Sequence, residues 1–447
     1  MAVDITNIML EVQQVATQGP IRNSFRFDVF IKVEDRWIKP LRTDVITHQR
    51  DYVKGYSPLI YLDVFLGRGD YAYLIEPNKD KLIVDVIRHP VADIGGGDVD
   101  EVVTVKRYRA LLLTKDDPGL GDARPHASNI DDLNQEIMDV QFQLIEENIY
   151  QLMMVTVGRT YRKNIPMDVL RALLTDASTN IDVTDEEAIT GVDVVDGYNP
   201  KVRDAIIVPH GTPLVDVVTH LQENEGGLYS TGVGCFLQHN KWYVYPLFDL
   251  NRIERETRTL TVIRVPPNRF AASERTWRIS ANQIVVIANN EVKTRDLGII
   301  DQMSSGNAVR VTNADNLLSF TETQNNRSSF NRRENMLEFQ THELQGDGLT
   351  NARWGSERAT GNPFKVFSRL ASQGGQFVEV TWLHANTDYL YPGMPVRFYV
   401  ASNDQLQEYH GTLLGANDRY VPGKPGPIQD YYVNEARLLL FVNRIQQ

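Results

Sequence analysis

The sequence predicts a mainly β protein with a mixed α+β middle between two β-rich units. Three observations carry this expectation. Apolar and polar residues alternate over several runs near the N-terminus and again near the C-terminus. Between these regions the apolar period lengthens to that of a helix at two places, each opened by a proline. Asp, Gly and Pro cluster where the first unit ends.

At 447 residues the chain exceeds one ordinary core, so several domains are expected. Residues 1–113 read as the first β-unit. Phe25, Phe27, Val29, Ile31 and Val33 alternate with Arg26, Asp28, Lys32 and Glu34, the pattern of a half-buried strand. Residues 58–89 then read as a long hairpin. Ile60, Leu62, Val64 and Leu66 give it one wholly apolar face. Gly67-Arg68-Gly69-Asp70 offers a reversal, since glycine accepts positive φ. Tyr71, Tyr73 and Ile75 run back, and Leu82 to Ile87 follow as a further strand. Val102 to Leu113 closes the unit. The other face of the hairpin, with Leu59, Tyr61, Asp63 and Phe65, is mixed, and a ribbon with apolar residues on both faces needs a cover that a neighbouring subunit would supply.

Residues 114–136 are a linker, densest in turn residues over 114–131. Met138, Val140, Phe142 and Leu144 begin a second ribbon within 137–165, which turns near Glu147-Asn148 and returns over Tyr150–Tyr161. Residues 166–303 are the α+β part. Pro166 opens a helix with Val169, Leu170, Leu173 and Leu174 on one face. Thr212-Pro213 opens another, with Thr212 as N-cap and Leu214, Val217, Val218 and Leu221 inward. A hairpin turning near Asn240 follows. Residues 304–375 are a polar, loop-rich excursion. Residues 376–447 return to strands over Phe377–Leu383, Val396–Val400, Gln407–Leu414 and Arg437–Val442, with Pro392-Gly393-Met394-Pro395 as a turn.

The bulk chemistry excludes several functions. A net charge of −12 argues against tight wrapping of nucleic acid, but suits a passage through which it slides. Cys235 is the only cysteine, so neither an intrachain disulfide nor a thiolate zinc site is expected. A small apolar strand residue is the better reading of it than a nucleophile. No apolar run approaches the ~18 residues of a membrane span, and the N-terminus lacks the pattern of a signal peptide. Arg68-Gly69-Asp70 reads as turn chemistry. Gly95-Gly96-Gly97 lacks the strand, helix and Lys-Ser or Lys-Thr of a phosphate cradle. Asp98, Asp100 and Glu101, and Asp185-Glu186-Glu187, read as solvated turns. The nine histidines make no i, i+4 motif with Glu. Arg327, Arg332 and Arg333 read as a solvated or interfacial loop. No catalytic residue, metal site or cofactor is expected.

The order of parts resembles the baseplate hub family of contractile-tailed bacteriophages, related to the spike-holding proteins of type VI secretion. The resemblance lies in the hairpin Ile60–Val86, the ribbon Val140–Val157, the passage from Val208-Pro209-His210-Gly211-Thr212-Pro213 to Trp242-Tyr243-Val244-Tyr245-Pro246-Leu247, and the turn at Pro392-Gly393-Met394-Pro395-Val396. It implies two tube-like β-barrels flanking, and interrupted by, the mixed insertion: 1–113 as the first, 137–165 with 376–447 as the second. It implies a non-enzymatic homotrimer that joins the tail tube to the central spike and contacts other baseplate proteins. DNA would pass its lumen without specific binding. The location implied is the virion tail, after assembly in the host cytoplasm. Ile60, Leu62, Val64, Leu66, Tyr71 and Tyr73 are then the expected subunit or tube seam. Two other readings compete. One is a tail-associated cell-wall or glycan hydrolase, which needs two carboxylates roughly 5–10 Å apart. The other is an oligomeric tail adaptor or tube terminator.

Overall fold

The computed structural model describes residues 5–17, 24–91, 103–113, 137–197, 199–265, 276–288, 293–295, 311–313, 349–351, 364, 368, 371–372, 375–402, 405–423 and 431–444. The linker 114–136, the Gly95–Gly97 turn, the basic run at Arg327–Arg333 and most of 304–375 lie outside them.

The first unit starts after α1 (Ile5–Thr17) with β1 (Ser24–Val33), β2 (Arg36–Ile38), β3 (Arg42–Gln49) and β4 (Leu59–Gly67). The alternation read from the sequence holds along β1 and β4. Val29, Ile31, Leu62 and Val64 are buried, while the residues between them are less covered. The chain does not reverse at Gly67, whose backbone is extended (φ −65°, ψ 142°). It enters α2 (Arg68–Asp70), a π-helical turn Tyr71–Ile75 and a 3-10 turn Glu76–Asn78 before β5 (Leu82–Val91). The expected hairpin is therefore absent. β4 pairs with β3 and with β7 (Ile137–Glu146), whereas β5 pairs with β1 and with β6 (Thr104–Leu113). A helical connection spans the end of the sheet, where a tight turn would return along the same edge. It also turns Tyr71 and Ile75, four residues apart, onto one face and into the core.

β7 was expected in the second barrel. It lies in the first, between β4 and β6, and its Val140, Phe142 and Leu144 fill that core. Nor does it form a ribbon with β8 (Thr156–Asn164), since α3 (Glu147–Met153) separates them and β8 pairs elsewhere.

The mixed unit follows β7. α4 (Pro166–Thr179) starts with its proline at the first helical position and buries Val169, Leu170, Leu173 and Leu174, as expected. After β9 (Gly191–Val194), β10 (Arg203–Pro213) pairs antiparallel with β8. α5 (Leu214–Glu223) buries Leu214, Val217, Val218 and Leu221. Thr212 is not its cap. Pro213 occupies that position, and the Thr212 hydroxyl donates to the Pro209 carbonyl instead. β11 (Val233–Gln238) and β12 (Lys241–Pro246) form the expected hairpin. His239 and Asn240 both have positive φ, 52° and 55°, as a two-residue type I′ loop requires.

The second β-unit begins inside the range 166–303 that was expected to be insertion. It comprises β13 (Thr259–Arg264), β14 (Trp277–Ile279), β15 (Gln283–Ala288), β16 (Lys293–Arg295), β19 (Gln376–Leu383), β20 (Pro395–Ser402), β21 (Gln405–Pro422) and β22 (Tyr432–Arg444); β17 (Val311–Asn313) and β18 (Leu349–Asn351) pair apart from it. β13 lies parallel to β15 and to β20, and its run Leu260 to Ile263 is buried on both faces. Gly393, at φ 69°, makes the turn into β20.

The last two strands bind the units together. β21 runs 18 residues and β22 runs 13, much further than their apolar cores suggest. Their outer ends join β20 and β19 in the second unit. Their inner ends pair with β3 and β1 in the first. The circuit β1–β5–β6–β7–β4–β3–β21–β22–β1 is thus a closed barrel. The second sheet curls on itself: Thr276 Oγ1 donates to the Leu383 carbonyl (2.6 Å) and Trp277 Nε1 to that of His384 (3.1 Å). The fold is mainly β, as expected.

Candidate functional site

The three units meet where β3 leaves the first barrel. Arg50 lies there, 5% exposed, because the chain crosses at this point from barrel wall to junction. Its guanidinium donates to the carboxylate of Asp418 on β21, which is 0% exposed, and to Thr387 Oγ1 (3.3 Å). Its backbone N–H donates to Asn417 Oδ1 (2.9 Å). His48 Nδ1 lies 3.2 Å from the other Asp418 oxygen. Removing two charges from water is costly, and the bonds converging on this pair offset part of that cost. Among the described residues Arg50 Nε has no hydrogen-bond partner, and Asp418 Oδ2 has only the His48 contact.

Further charges ring a cavity of about 320 Å³ at the same end of the first barrel. Arg88 on β5 pairs with Asp388 at 2.8 Å, and Lys106 on β6 with Glu146 on β7 at 2.9 Å. The β11–β12 hairpin reaches the junction through Gln238. That amide donates to the Leu390 carbonyl (2.8 Å) and accepts from the Tyr52 hydroxyl (3.0 Å). The Tyr245 hydroxyl donates to the Tyr52 carbonyl (2.9 Å). The network joins the segment leaving β3 (Arg50, Tyr52), the mixed unit (Gln238) and the second β-unit (Thr387, Leu390) by directional bonds.

These bonds set the protonation states. Burial raises the carboxyl of Asp418, but Arg50 and His48 outweigh it and hold the group below its ordinary range. Arg88 and Arg50 do the same for Asp388 against its burial, and Lys106 for Glu146. Burial pushes the Tyr108 phenol up to about 12. All three carboxylates are ionised at neutral pH, so none is a proton donor there. Asp63 is the one carboxyl raised among the described residues, by burial and by Asp139 and Asp44, against a hydrogen bond from Gln141 (2.7 Å). It lies on the outward face of β4. Burial also pushes the Cys235 thiol up to about 12, which keeps it protonated and a poor nucleophile. Among the described residues no group of three or more metal-ligating side chains converges, and no helix is long and apolar enough to cross a membrane.

The residues expected at a seam divide. Ile60, Leu62, Val64 and Leu66 are at most 5% exposed and point into the first barrel's own core. The chain itself covers them, with side chains from the other barrel strands such as Ile31, Val84 and Tyr108, where a neighbouring subunit was expected. Tyr71 closes the lower end of that barrel at 6% exposure, while Tyr73 is 81% exposed. The junction residues Arg50, Asp418 and Gln238 escaped the sequence reading. They are single polar residues within or beside strands, far apart in the chain. The one available signal was an acid, Asp418, in alternation with Ala416 and Tyr420.

No family model matches the chain, and no curated protein matches it. Solved structures similar to it include a tail protein from Neisseria meningitidis MC58, with 10% identity over 92% of this chain and 96% of that one, at a TM-score of 0.38. Another is the prophage MuSo2 43 kDa tail protein from Shewanella oneidensis, with 10% identity over 93% and 98%, at 0.41. A third is the E. coli c3393 protein, a component of the type VI secretion system, with 8% identity over 93% and 77%, at 0.38.

Proposed function

We propose that this chain is a structural tail protein, the subunit of a homotrimeric baseplate hub that connects the tail tube to the central spike. The observation that carries the reading is the hairpin β21–β22, which is wall to the closed first barrel and to the second, curled sheet at once. Each copy therefore contributes two tube-like units at a fixed spacing and angle. Three copies would set six such units in a ring, matching a sixfold tube to a threefold spike. The first barrel is filled by its own side chains and stoppered by Tyr71 and Ile75, so DNA would pass between copies and not through a barrel. A net charge of −12 keeps such a passage from binding it.

We infer that the seam of this ring lies at the end of the first barrel that Tyr71 and Ile75 stopper. Tyr73, Trp37 and Leu41 lie there at the strand ends, exposed by 81%, 48% and 63%. The hub would contact other baseplate proteins, assemble in the host cytoplasm and act in the virion. A hydrolase is disfavoured because the cavity carboxylates are held ionised, and the raised Asp63 stands on an outer wall. Two measurements test the reading: mass by light scattering, and digestion of purified cell wall. A trimer without digestion supports it. Wall clearing that is lost in Asp63→Asn would overturn it.

A further inference from the structure

The mixed unit has a surface that the ring reading leaves unused. β8 pairs with β10 on one side and has no neighbour on the other among the described residues. Over Thr156–Arg162 that edge has no strand partner among the described residues and is a template for one more strand; beyond it Lys163 turns to positive φ (52°) and the Arg162 carbonyl accepts from Asn164 Nδ2. Beside the edge runs an open groove of about 590 Å³ between β8 and α4. Arg159 and Tyr161 line it from the strand, and Asp168, Arg171, Thr175 and Asp176 from the helix, so the groove floor is charge-balanced and the net positive charge lies on β8 itself. Side chains of an added strand alternate between two faces, so every second one would enter this groove.

Charge selects the occupant. β8 carries Arg159, Arg162 and Lys163, all exposed, and no acid. None of the three pairs with a carboxylate among the described residues, in a chain where Asp and Glu outnumber Lys and Arg by 58 to 46. β6 is different: Lys106, Arg107 and Arg109 are matched to Glu146, Asp85 and Glu147. A second copy pairing β8 against β8 would oppose like charges, which destabilises a sheet. Nucleic acid would meet the bases but leave the alternating backbone groups unsatisfied.

We propose that the free edge of β8 docks an extended, acidic segment of a partner protein as a third strand of the ribbon. This stands apart from the ring reading and survives its failure.

The probe is a capped peptide as long as β8 that alternates Val or Thr with Glu or Asp, added to the intact protein at low ionic strength. Saturable binding in fluorescence anisotropy is expected, with protection of the β8 amides from hydrogen exchange. Reversing the three bases (R159E, R162E and K163E together) should weaken it roughly tenfold or more. Methylating alternate peptide nitrogens should abolish it, and this comparison uses the unaltered protein, so it stands even if the triple variant misfolds. Absence of binding, equal binding of the methylated peptide, or tighter binding of a single-stranded oligonucleotide would overturn the proposal. So would a β8-dependent dimer in light scattering.

Discussion

Arg50 and Asp418 form a buried ion pair whose worth lies in orientation more than in energy. Such pairs contribute little net stability, but breaking one leaves an unpaired charge away from water. Arg50→Met should therefore destabilise the protein by about 3–5 kcal/mol in chemical denaturation. The double change Arg50→Met with Asp418→Leu should recover much of that loss. The pH dependence has a definite sign. The Asp418 carboxyl is held below its unfolded value, so its contribution is present above pH ~4 and disappears as pH falls through the lowered value. In Arg50→Met the same carboxyl is buried without its cation and shifts upward. Its penalty then grows as pH rises through ~4. The stability gap between variant and wild type should be wide at pH 7 and narrow near pH 4. Melting curves across this range check it, and a constant gap would contradict the role given to the pair.

At the scale of elements, the connection Arg68–Asn78 and the hairpin β21–β22 decide the architecture. Ile75 is 0% exposed at the stoppered end of the barrel, so Ile75→Ala should cost about 2–5 kcal/mol in unfolding experiments. Tyr73→Ala, two residues away, should leave monomer stability nearly unchanged and weaken only assembly. Gly411 of β21 lies opposite Val442 of β22. A Cβ there would stand 1.9 Å from the Phe441 carbonyl oxygen, so Gly411→Ala should loosen the hairpin and lower the melting temperature. Strand positions in β1, β4, β7 and β19 were legible from alternation, and α4 and α5 from Pro166 and Pro213, whereas α1 and α3 were not read. The partners of those strands were not, because alternation states which face is buried and not which edge is paired. Gly67 to Asp70 looked like a turn, yet Gly67 uses no positive φ and the residues after it coil. The inner ends of β21 and β22 were missed because Asn417, Asp418, Arg419, Asn434 and Glu435 are poor strand formers by composition. Those same polar residues make the junction, so the part hardest to read as strand supplied the candidate site.

For the whole molecule, the hairpin β21–β22 is shared by the closed first barrel and the second, curled sheet, and in the proposed ring the filled first barrel would leave the space between copies as the route for DNA. In that proposed ring a net charge of −12 would let a polyanion pass without holding it. Electron cryo-microscopy of the particle that contains this protein tests the proposal most directly. The expected image has three copies in a closed ring, two barrels from each, Tyr73 at the contact between neighbours and an open channel on the axis. A monomer in the finished particle, or a ring built from one barrel per copy, would contradict it.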